Sequence, residues 1–416
     1  MIGHVDADCF YVSAERVRLP HLAGMPVAVL GNHGACIIAK SYEMKAAGVA
    51  TGVPIWDATA ICPQAVYVKR DFSWYEVLSR KLLALIQEMS PRVEFYSIDE
   101  MFFEAVDPSL AAARQLQQRI LDRLRIPVSV GIAPTKTLAK LASDSSKPFG
   151  CRVVLNESDR REILHDRPVT DVTGIARRSA LRLAEQGIAT CAQLADADRA
   201  FIRWLLTKRG EDLWWELNGT AVMPILTARP EHKFVSRGGS IGRASRDGSR
   251  IHAFVVRNVE RLVEALHYYQ IVCDQLTLAL LFTDAPERSP RASLLGSTSD
   301  FEQLCAAALE LLPQAWQPPT AAVHYMHVIA GGLRPSRLRQ RSLLEQLDRR
   351  RADGSQSSGP EDRSARQTAL AEVKRQVNDR VGRFALRSGS TLPLGDVYGD
   401  AANAYDICDI YGKSCF

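Results

Sequence analysis

The chain has 416 residues, of which 46% are hydrophobic and 24% charged, with 26 Gly and 20 Pro, a profile that excludes a wholly disordered protein. Because single cores stop growing at roughly 250–300 residues, this length predicts two or more domains. The formal net charge of +5 is uneven: residues 334–387 carry fourteen basic and seven acidic side chains, leaving the remainder slightly acidic, which suits either a polyanion partner or a solvated charged linker.

In chain order, the apolar run 2–6 predicts a short buried strand, and Asp8 an N-cap for the helix that follows. A strand is expected over 35–39, then a helix over 41–47 ended by Gly48. Residues 93–105 alternate around Ser97-Ile-Asp-Glu100, predicting two strands joined by a tight turn. Helical periodicity covers 110–124, a strand 128–132 and a capped helix 135–142. From 169 to 226 the texture becomes short helices punctuated by Gly174, Gly187 and Gly210, an all-helical module. After it comes strand (234–241), helix (251–268), strand (275–282), strand (291–296), helix (301–312) and strand (321–330), a β-α-β-β-α-β unit with its sheet covered on one face. Residues 354–360 read as a flexible linker, and no repeat at solenoid periods is present. The fold class is therefore mixed α+β and multidomain.

Nine cysteines at irregular spacing, without a C-x-x-C pair, exclude a disulfide framework and a zinc ribbon, so reduced thiols are expected. Uninterrupted apolar runs such as 278–282 fall far short of the roughly 18–20 residues of a membrane span. The first residues lack the basic and apolar regions of a secretory signal, so no membrane association and a cytoplasmic location are expected.

Three acids stand where a sheet edge would otherwise be uncharged: Asp6 at the end of one apolar strand, and Asp99 and Glu100 between two others. Two readings fit this spacing. One is Mg²⁺ chemistry, since that ion takes carboxylate oxygens and shares its shell with substrate phosphates; a pair about 3.5–4 Å apart can drive nucleotidyl transfer. The other is a polar turn at 99–100 and a helix cap at Asp6. Neighbours on a straight strand face opposite ways, so convergence of Asp99 and Glu100 requires a hairpin tip there.

Val5-Asp-Ala-Asp-Cys-Phe-Tyr11, Ser41-Tyr-Glu-Met-Lys-Ala-Ala-Gly-Val49, Gly52-Val-Pro54, Tyr96-Ser-Ile-Asp-Glu100, Val130-Gly-Ile-Ala-Pro-Thr-Lys-Thr-Leu-Ala-Lys140 and Ser146-Lys-Pro148 occur in this order. Over about residues 1–335 the chain thereby resembles the Y-family translesion DNA polymerases of the UmuC and DinB type. The resemblance implies a right hand: palm over 1–165 with fingers inserted at about 20–75, helix-hairpin-helix thumb over 166–228, βαββαβ little finger over 229–335, and a basic tail over 336–416. It implies two Mg²⁺ ions held by Asp6, Asp99, Glu100 and the Ala7 carbonyl, leaving Asp8 as a helix cap. Tyr11 matches a steric gate against the ribose 2′-OH, and Tyr42, Lys45 and Lys147 match triphosphate contacts. Lys45 and Ala39 stand where many relatives carry Arg and a small hydroxyl residue.

Asp171-Val-Thr-Gly-Ile-Ala176 resembles the thumb hairpin that offers backbone N–H groups of Gly174 and Ala176 to a DNA phosphate, with Ala176 replacing the usual second Gly. In Phe234-Val-Ser-Arg-Gly-Gly-Ser-Ile-Gly-Arg243, similar to the first little-finger strand, Arg237 and Arg243 would contact template phosphates. Gln340-Arg-Ser-Leu-Leu344 is similar to a sliding-clamp peptide, with Gln340, Leu343 and Leu344 as its contacts; Asn378-Asp-Arg-Val-Gly382 continues a UmuC-like likeness that implies a UmuD-like or recombinase partner. The resemblance thus implies an error-prone, template-directed DNA polymerase without proofreading. Its competitors are a DNA- and clamp-binding scaffold without catalysis, whose sign would be loss of the three acids, and a metal-dependent nuclease.

Overall fold

Strand β1 (Ile2–Ala7) is buried along its whole length, so it can only sit inside a sheet covered on both faces. The computed structural model describes residues 1–31, 36–228, 231–317, 321–338, 360–382 and 384–398. Two compact units divide the chain after residue 229, the minimum that its length requires. Together they make a mixed, multidomain α+β protein, its strand pairs mostly antiparallel.

In the first unit the elements run β1, α1 (Phe10–Arg18), β2 (Val27–Leu30), β3 (Ile37–Lys40), α2 (Tyr42–Ala46), α3 (Ile55–Ile61), β4 (Val66–Lys69), α4 (Phe72–Gln87), β5 (Val93–Phe95), β6 (Glu100–Glu104), α5 (Leu110–Leu124), β7 (Val128–Ala133), α6 (Lys136–Ser145), β8 (Cys151–Val153) and α7 (Glu157–Leu164). Three further helices follow: α8 (Arg177–Ala184), α9 (Cys191–Asp196) and α10 (Arg199–Leu217). A five-stranded sheet, β5-β6-β1-β7-β8, puts β1 at its centre, and a separate three-stranded sheet runs β3-β2-β4. Helices α5 and α6 both pack on β7. Gly131 in β7 decides how closely α6 can lie, because an added Cβ would stand 2.1 Å from the Ala139 carbonyl oxygen.

The small sheet builds its own core from Ala28, Leu30, Ile37, Met44 and Val49. The Ser41 hydroxyl caps α2 by accepting the Met44 N–H at 3.3 Å. Helices α7 to α10 share a second core that includes Leu183, Leu194, Ile202 and Leu213, and α10 is broken at Thr207, whose φ is 67°.

The second unit contains β9 (Val235–Ser245), α11 (Gly248–Tyr268), β10 (Ile271–Phe282), β11 (Arg291–Thr298), α12 (Phe301–Ala315), β12 (Val323–Gly331) and β13 (Arg334–Pro335). The first six follow the β-α-β-β-α-β order, and the antiparallel sheet runs β11-β10-β12-β9. Helix α13 (Pro360–Val381) and the short α14 (Gly395–Tyr398) complete the described chain.

Part of the basic tail is built into this unit. Phe384, Leu394 and Val397 are buried, Lys374 Nζ and the Ser388 N–H both donate to the Glu260 carboxylate of α11 at 2.5 and 2.9 Å, and Arg250 pairs with Asp396 at 2.9 Å. Asn378 brackets Leu386, donating to its carbonyl at 3.0 Å and accepting its N–H at 2.7 Å. The clamp-peptide residues Gln340, Leu343 and Leu344 lie outside the described residues, as do residues 354–359 of the expected linker. The seven cysteines among the described residues are free thiols, and no helix there is long and apolar enough to cross a membrane.

Candidate active site

Two carboxylates meet because two strands are in register. In the β1–β6 pair Asp6 stands directly opposite Glu100, which places their side chains on one face. The chain reaches that register through a tight hairpin between β5 and β6. The N–H groups of Tyr96 and Ser97 both donate to the Glu100 carbonyl, at 3.2 and 3.0 Å, and the Ala7 N–H donates to the Asp99 carbonyl at 2.9 Å. Asp99 sits at the tip, where its Oδ1 accepts the Ser97 hydroxyl.

Two lysines neutralise this end of the sheet. Lys147 Nζ lies 2.6 Å from Asp6 and 3.1 Å from Asp144. Lys140, carried on α6, pairs with Glu100 and stands 3.9 Å from Asp6 and 3.7 Å from Asp144. Burial pushes the Asp6 carboxyl above the usual range, against the pull of Lys147. Burial acts the same way on Glu100, but there the Lys140 ammonium wins and the carboxyl is held below its ordinary value. The closely spaced acids thus differ in basicity because their neighbours differ.

Among the described residues no three His, Cys, Asp or Glu side chains stand close enough to hold a metal ion: Asp6 and Glu100 are together, while Asp99 is turned onto Ser97. The donor chemistry nevertheless fits a hard divalent cation, because every candidate ligand is an oxygen and the paired carboxylates already gather cationic charge from Lys140 and Lys147.

The Tyr11 ring, on α1, is stacked on Tyr75 with centroids 4.6 Å apart and planes 16° from parallel, and it meets Phe72 edge-on at 5.8 Å. Tyr75 is itself fixed, fully buried with its hydroxyl donating to Glu15 at 2.6 Å. Tyr42 opens α2 and sends its hydroxyl to Asp8 at 3.2 Å, while Lys45, exposed, lies 6.0 Å from the Tyr42 ring centre.

Asp8 corrects an expectation. It is not a helix cap: the N-cap of α1 is Cys9, held left-handed at φ 47° with no side-chain capping bond. The Asp8 carboxylate instead accepts from Ser129, Tyr42 and the Phe149 N–H. Nothing local to residue 8 signals this, because the donors come from three distant segments. Lys140 and Asp144 also went unassigned, although helical spacing places them on one face.

Gly174 has φ 107°, which L side chains rarely adopt, whereas Ala176 is the extended N-cap of α8 at φ −88° and needs no glycine. No side chain caps the first turn of α8, so its N–H groups remain available to an anion. In the second unit Arg237 and Arg243 both lie on β9; Arg243 is exposed, and Arg237 donates to the Ser236 carbonyl at 2.8 Å.

Residues 5–144 match the profile of the impB/mucB/samB family and residues 232–343 that of the family's C-terminal domain. The chain is 32% identical over 361 residues to DNA polymerase IV of Oceanobacillus iheyensis, covering 84% of each. It is 31% identical to Protein ImpB of Salmonella typhimurium, covering 84% of this chain and 87% of that one. Among solved structures, a Y-family DNA polymerase chimera superposes with a TM-score of 0.68 at 22% identity, over 79% of this chain and 98% of the other. An insertion ternary complex of Dbh DNA polymerase gives 0.55 at 24%, over 80% and 98%.

Proposed function

The chain belongs to the impB/mucB/samB family of Y-family DNA polymerases, and from that premise we propose how its residues carry out synthesis on damaged templates. It is a DNA-directed DNA polymerase that takes primer-template DNA and deoxynucleoside triphosphates and requires a divalent metal. The primer 3′-oxygen bonds to the α-phosphorus as the bond to the β-phosphate breaks, and pyrophosphate leaves.

The observation that carries this reading is the register of Asp6 against Glu100 with Lys147 on Asp6. Two Mg²⁺ ions, held by Asp6, Asp99, Glu100 and the Ala7 carbonyl, would activate the attacking oxygen and neutralise the phosphates. To take part, Asp99 would have to exchange its hydrogen bond from the Ser97 hydroxyl for a place beside Asp6 and Glu100. Tyr42, Lys45 and Lys147 bind the triphosphate, their charge and hydroxyl groups being worth most where water is scarce. Tyr11, unable to retreat because Tyr75 and Phe72 back it, collides with a ribose 2′-OH.

In this reading the five-stranded sheet and the helices through α7 are the palm, the three-stranded sheet the fingers, α8 to α10 the thumb, and the second unit the little finger with its tail. Gly174 and Ala176 present N–H groups to a DNA phosphate, and Arg237 and Arg243 hold the template backbone without reading its sequence. Gln340, Leu343 and Leu344 form a sliding-clamp peptide. A UmuD-like or recombinase partner, error-prone bypass without proofreading, and a cytoplasmic location beside the DNA complete the reading.

Primer extension on undamaged and abasic templates with Mg²⁺ tests it, comparing wild type with Asp99→Ala. The wild type should extend both and the variant neither. Failure of the wild type even with a clamp would favour a DNA- and clamp-binding scaffold.

A further inference from the structure

Asp8 is 2% exposed and is held at both its backbone and its side chain. Its N–H donates to the Pro127 carbonyl at 2.9 Å, and its own carbonyl accepts the Ser13 hydroxyl. Oδ1 accepts the Tyr42 hydroxyl at 3.2 Å and the Ser129 hydroxyl at 3.0 Å. Oδ2 accepts the Phe149 N–H at 2.7 Å and shares the Ser129 hydroxyl at 3.2 Å. Three donors therefore converge on one carboxylate, the single Ser129 hydroxyl being shared between its two oxygens.

The donors are not arbitrary. Tyr42 and the turn 147–149 each carry a group that the proposed reaction directs at the triphosphate, and they lie 34 and 141 positions from Asp8 along the chain. Backbone strain is concentrated at the same point: Cys9 and Phe149 are both left-handed, at φ 47° and 48°. A non-glycine residue in that region is strained and persists only where its surroundings enforce it. Phe149 adopts that conformation with its N–H aimed at Asp8.

We infer that Asp8 is a positioning residue for the incoming nucleotide, holding the Tyr42 hydroxyl and the Lys147 turn in place from a single buried carboxylate. This rests on the reading of Tyr42 and Lys147 as triphosphate contacts. Asp8 touches neither metal nor substrate in this role. The long Tyr42 bond is weaker than a typical O–H···O bond of about 2.7–2.8 Å, so the phenol is aligned yet able to turn its proton to a phosphate oxygen.

The role is separable from metal ligation by one substitution. Asp8→Asn can keep its oxygen on the Phe149 N–H and donate its amide hydrogens to the Tyr42 and Ser129 hydroxyls, which also accept. It therefore retains the geometry while discarding the negative charge that a metal ligand needs. Asp8→Ala discards both.

The test is single-nucleotide incorporation by wild type, Asp8→Ala, Asp8→Asn, Tyr42→Phe and the Asp8→Ala/Tyr42→Phe double variant, with primer-template affinity measured alongside. Asp8→Ala should raise KM for the nucleotide about tenfold with kcat changed less than about threefold, as loss of one or two aligning hydrogen bonds would. DNA affinity should not move, and Asp8→Asn should stay within about threefold of wild type in KM. The double variant should lose less than the product of the two single effects, because the placement of Tyr42 is lost in both while Asp8 also holds the 147–149 turn. If Asp8→Ala does not fold, Asp8→Asn and Tyr42→Phe carry the test. An unchanged KM in Asp8→Ala, multiplying effects in the double variant, or a hundredfold loss of kcat in Asp8→Asn would each overturn the role. A wild type that extends no primer removes the polymerase reading and this inference with it, whereas an active wild type with a flat KM series refutes the positioning role alone.

Discussion

Tyr11 lies flat on Tyr75, with ring centres 4.6 Å apart, so the side chain assigned to sugar discrimination is braced by a fully buried partner. A gate works only if it cannot swing away, and stacking of this kind is worth roughly 0.5–1.5 kcal/mol beyond the area it buries. Tyr11→Ala should therefore admit ribonucleotides, reducing sugar discrimination by about a hundredfold or more. Tyr75→Leu, which keeps the volume but removes the flat face, should relax it partway. Competing dCTP and CTP incorporation on one template measures both, and unchanged discrimination in Tyr11→Ala would remove the assigned role.

Loss of any one of the three acids should stop synthesis. Asp6→Ala, Asp99→Ala and Glu100→Ala are each expected to lower kcat by at least about a thousandfold, the scale of removing charge stabilisation at a phosphoryl centre. Asp6→Ala also leaves Lys147 with Asp144 as its remaining acidic partner. Chelation by EDTA should silence the wild type and added Mg²⁺ restore it. Extension by Asp99→Ala at near wild-type rate would remove Asp99 from the set.

Gly131→Ala should destabilise the first unit. The new Cβ would meet the Ala139 carbonyl oxygen and the Ser143 nitrogen, at 2.1 and 2.4 Å, and neither is a flexible side chain that can yield. Overpacking of this kind costs about 1–3 kcal/mol. It would also displace α6, which carries Lys140 to Glu100. A lower melting temperature together with reduced activity is expected; a variant as stable as wild type would mean that α6 shifts freely.

Docking of the tail on α11 hangs on Glu260, which is 4% exposed and accepts from both Lys374 and the Ser388 N–H. Glu260→Ala strands both donors and should weaken the attachment by about 1–3 kcal/mol. Limited proteolysis should then cut within 374–398 faster than in wild type. Equal protection would show that Phe384, Leu394 and Val397 suffice to hold the segment.

Because that segment is part of the fold, the clamp peptide is better tested by point substitution than by truncation. Leu343→Ala combined with Leu344→Ala should lose stimulation of primer extension by the sliding clamp. Full stimulation would refute the peptide's role.

The hairpin at 96–99 was legible in advance, because a two-residue alternation broken by Ser97-Ile-Asp-Glu100 leaves the chain nowhere to go but back, whereas the pairing of Asp6 with the strand that follows it was not. Ser41 caps α2, while Asp8, an equally good capping residue, is not used as one. Its carboxylate was claimed by Ser129 and Phe149, 121 and 141 positions away. No capping preference worth about 1 kcal/mol competes with three such bonds in a dry site.

The sequence by itself determined the order of elements, the position of the three acids at strand ends and the family, since each of these depends on residues within a few positions of one another or on motifs in fixed succession. The tertiary structure alone decided that Asp99 rests on Ser97 while Asp6 and Glu100 meet, that Lys140 and Lys147 neutralise them, that Asp8 gathers Tyr42 and the 147–149 turn, and that the basic tail folds onto α11. Those outcomes depend on which distant groups arrive at one buried point, and the free energy of a buried charge is set by that company rather than by its neighbours in the chain.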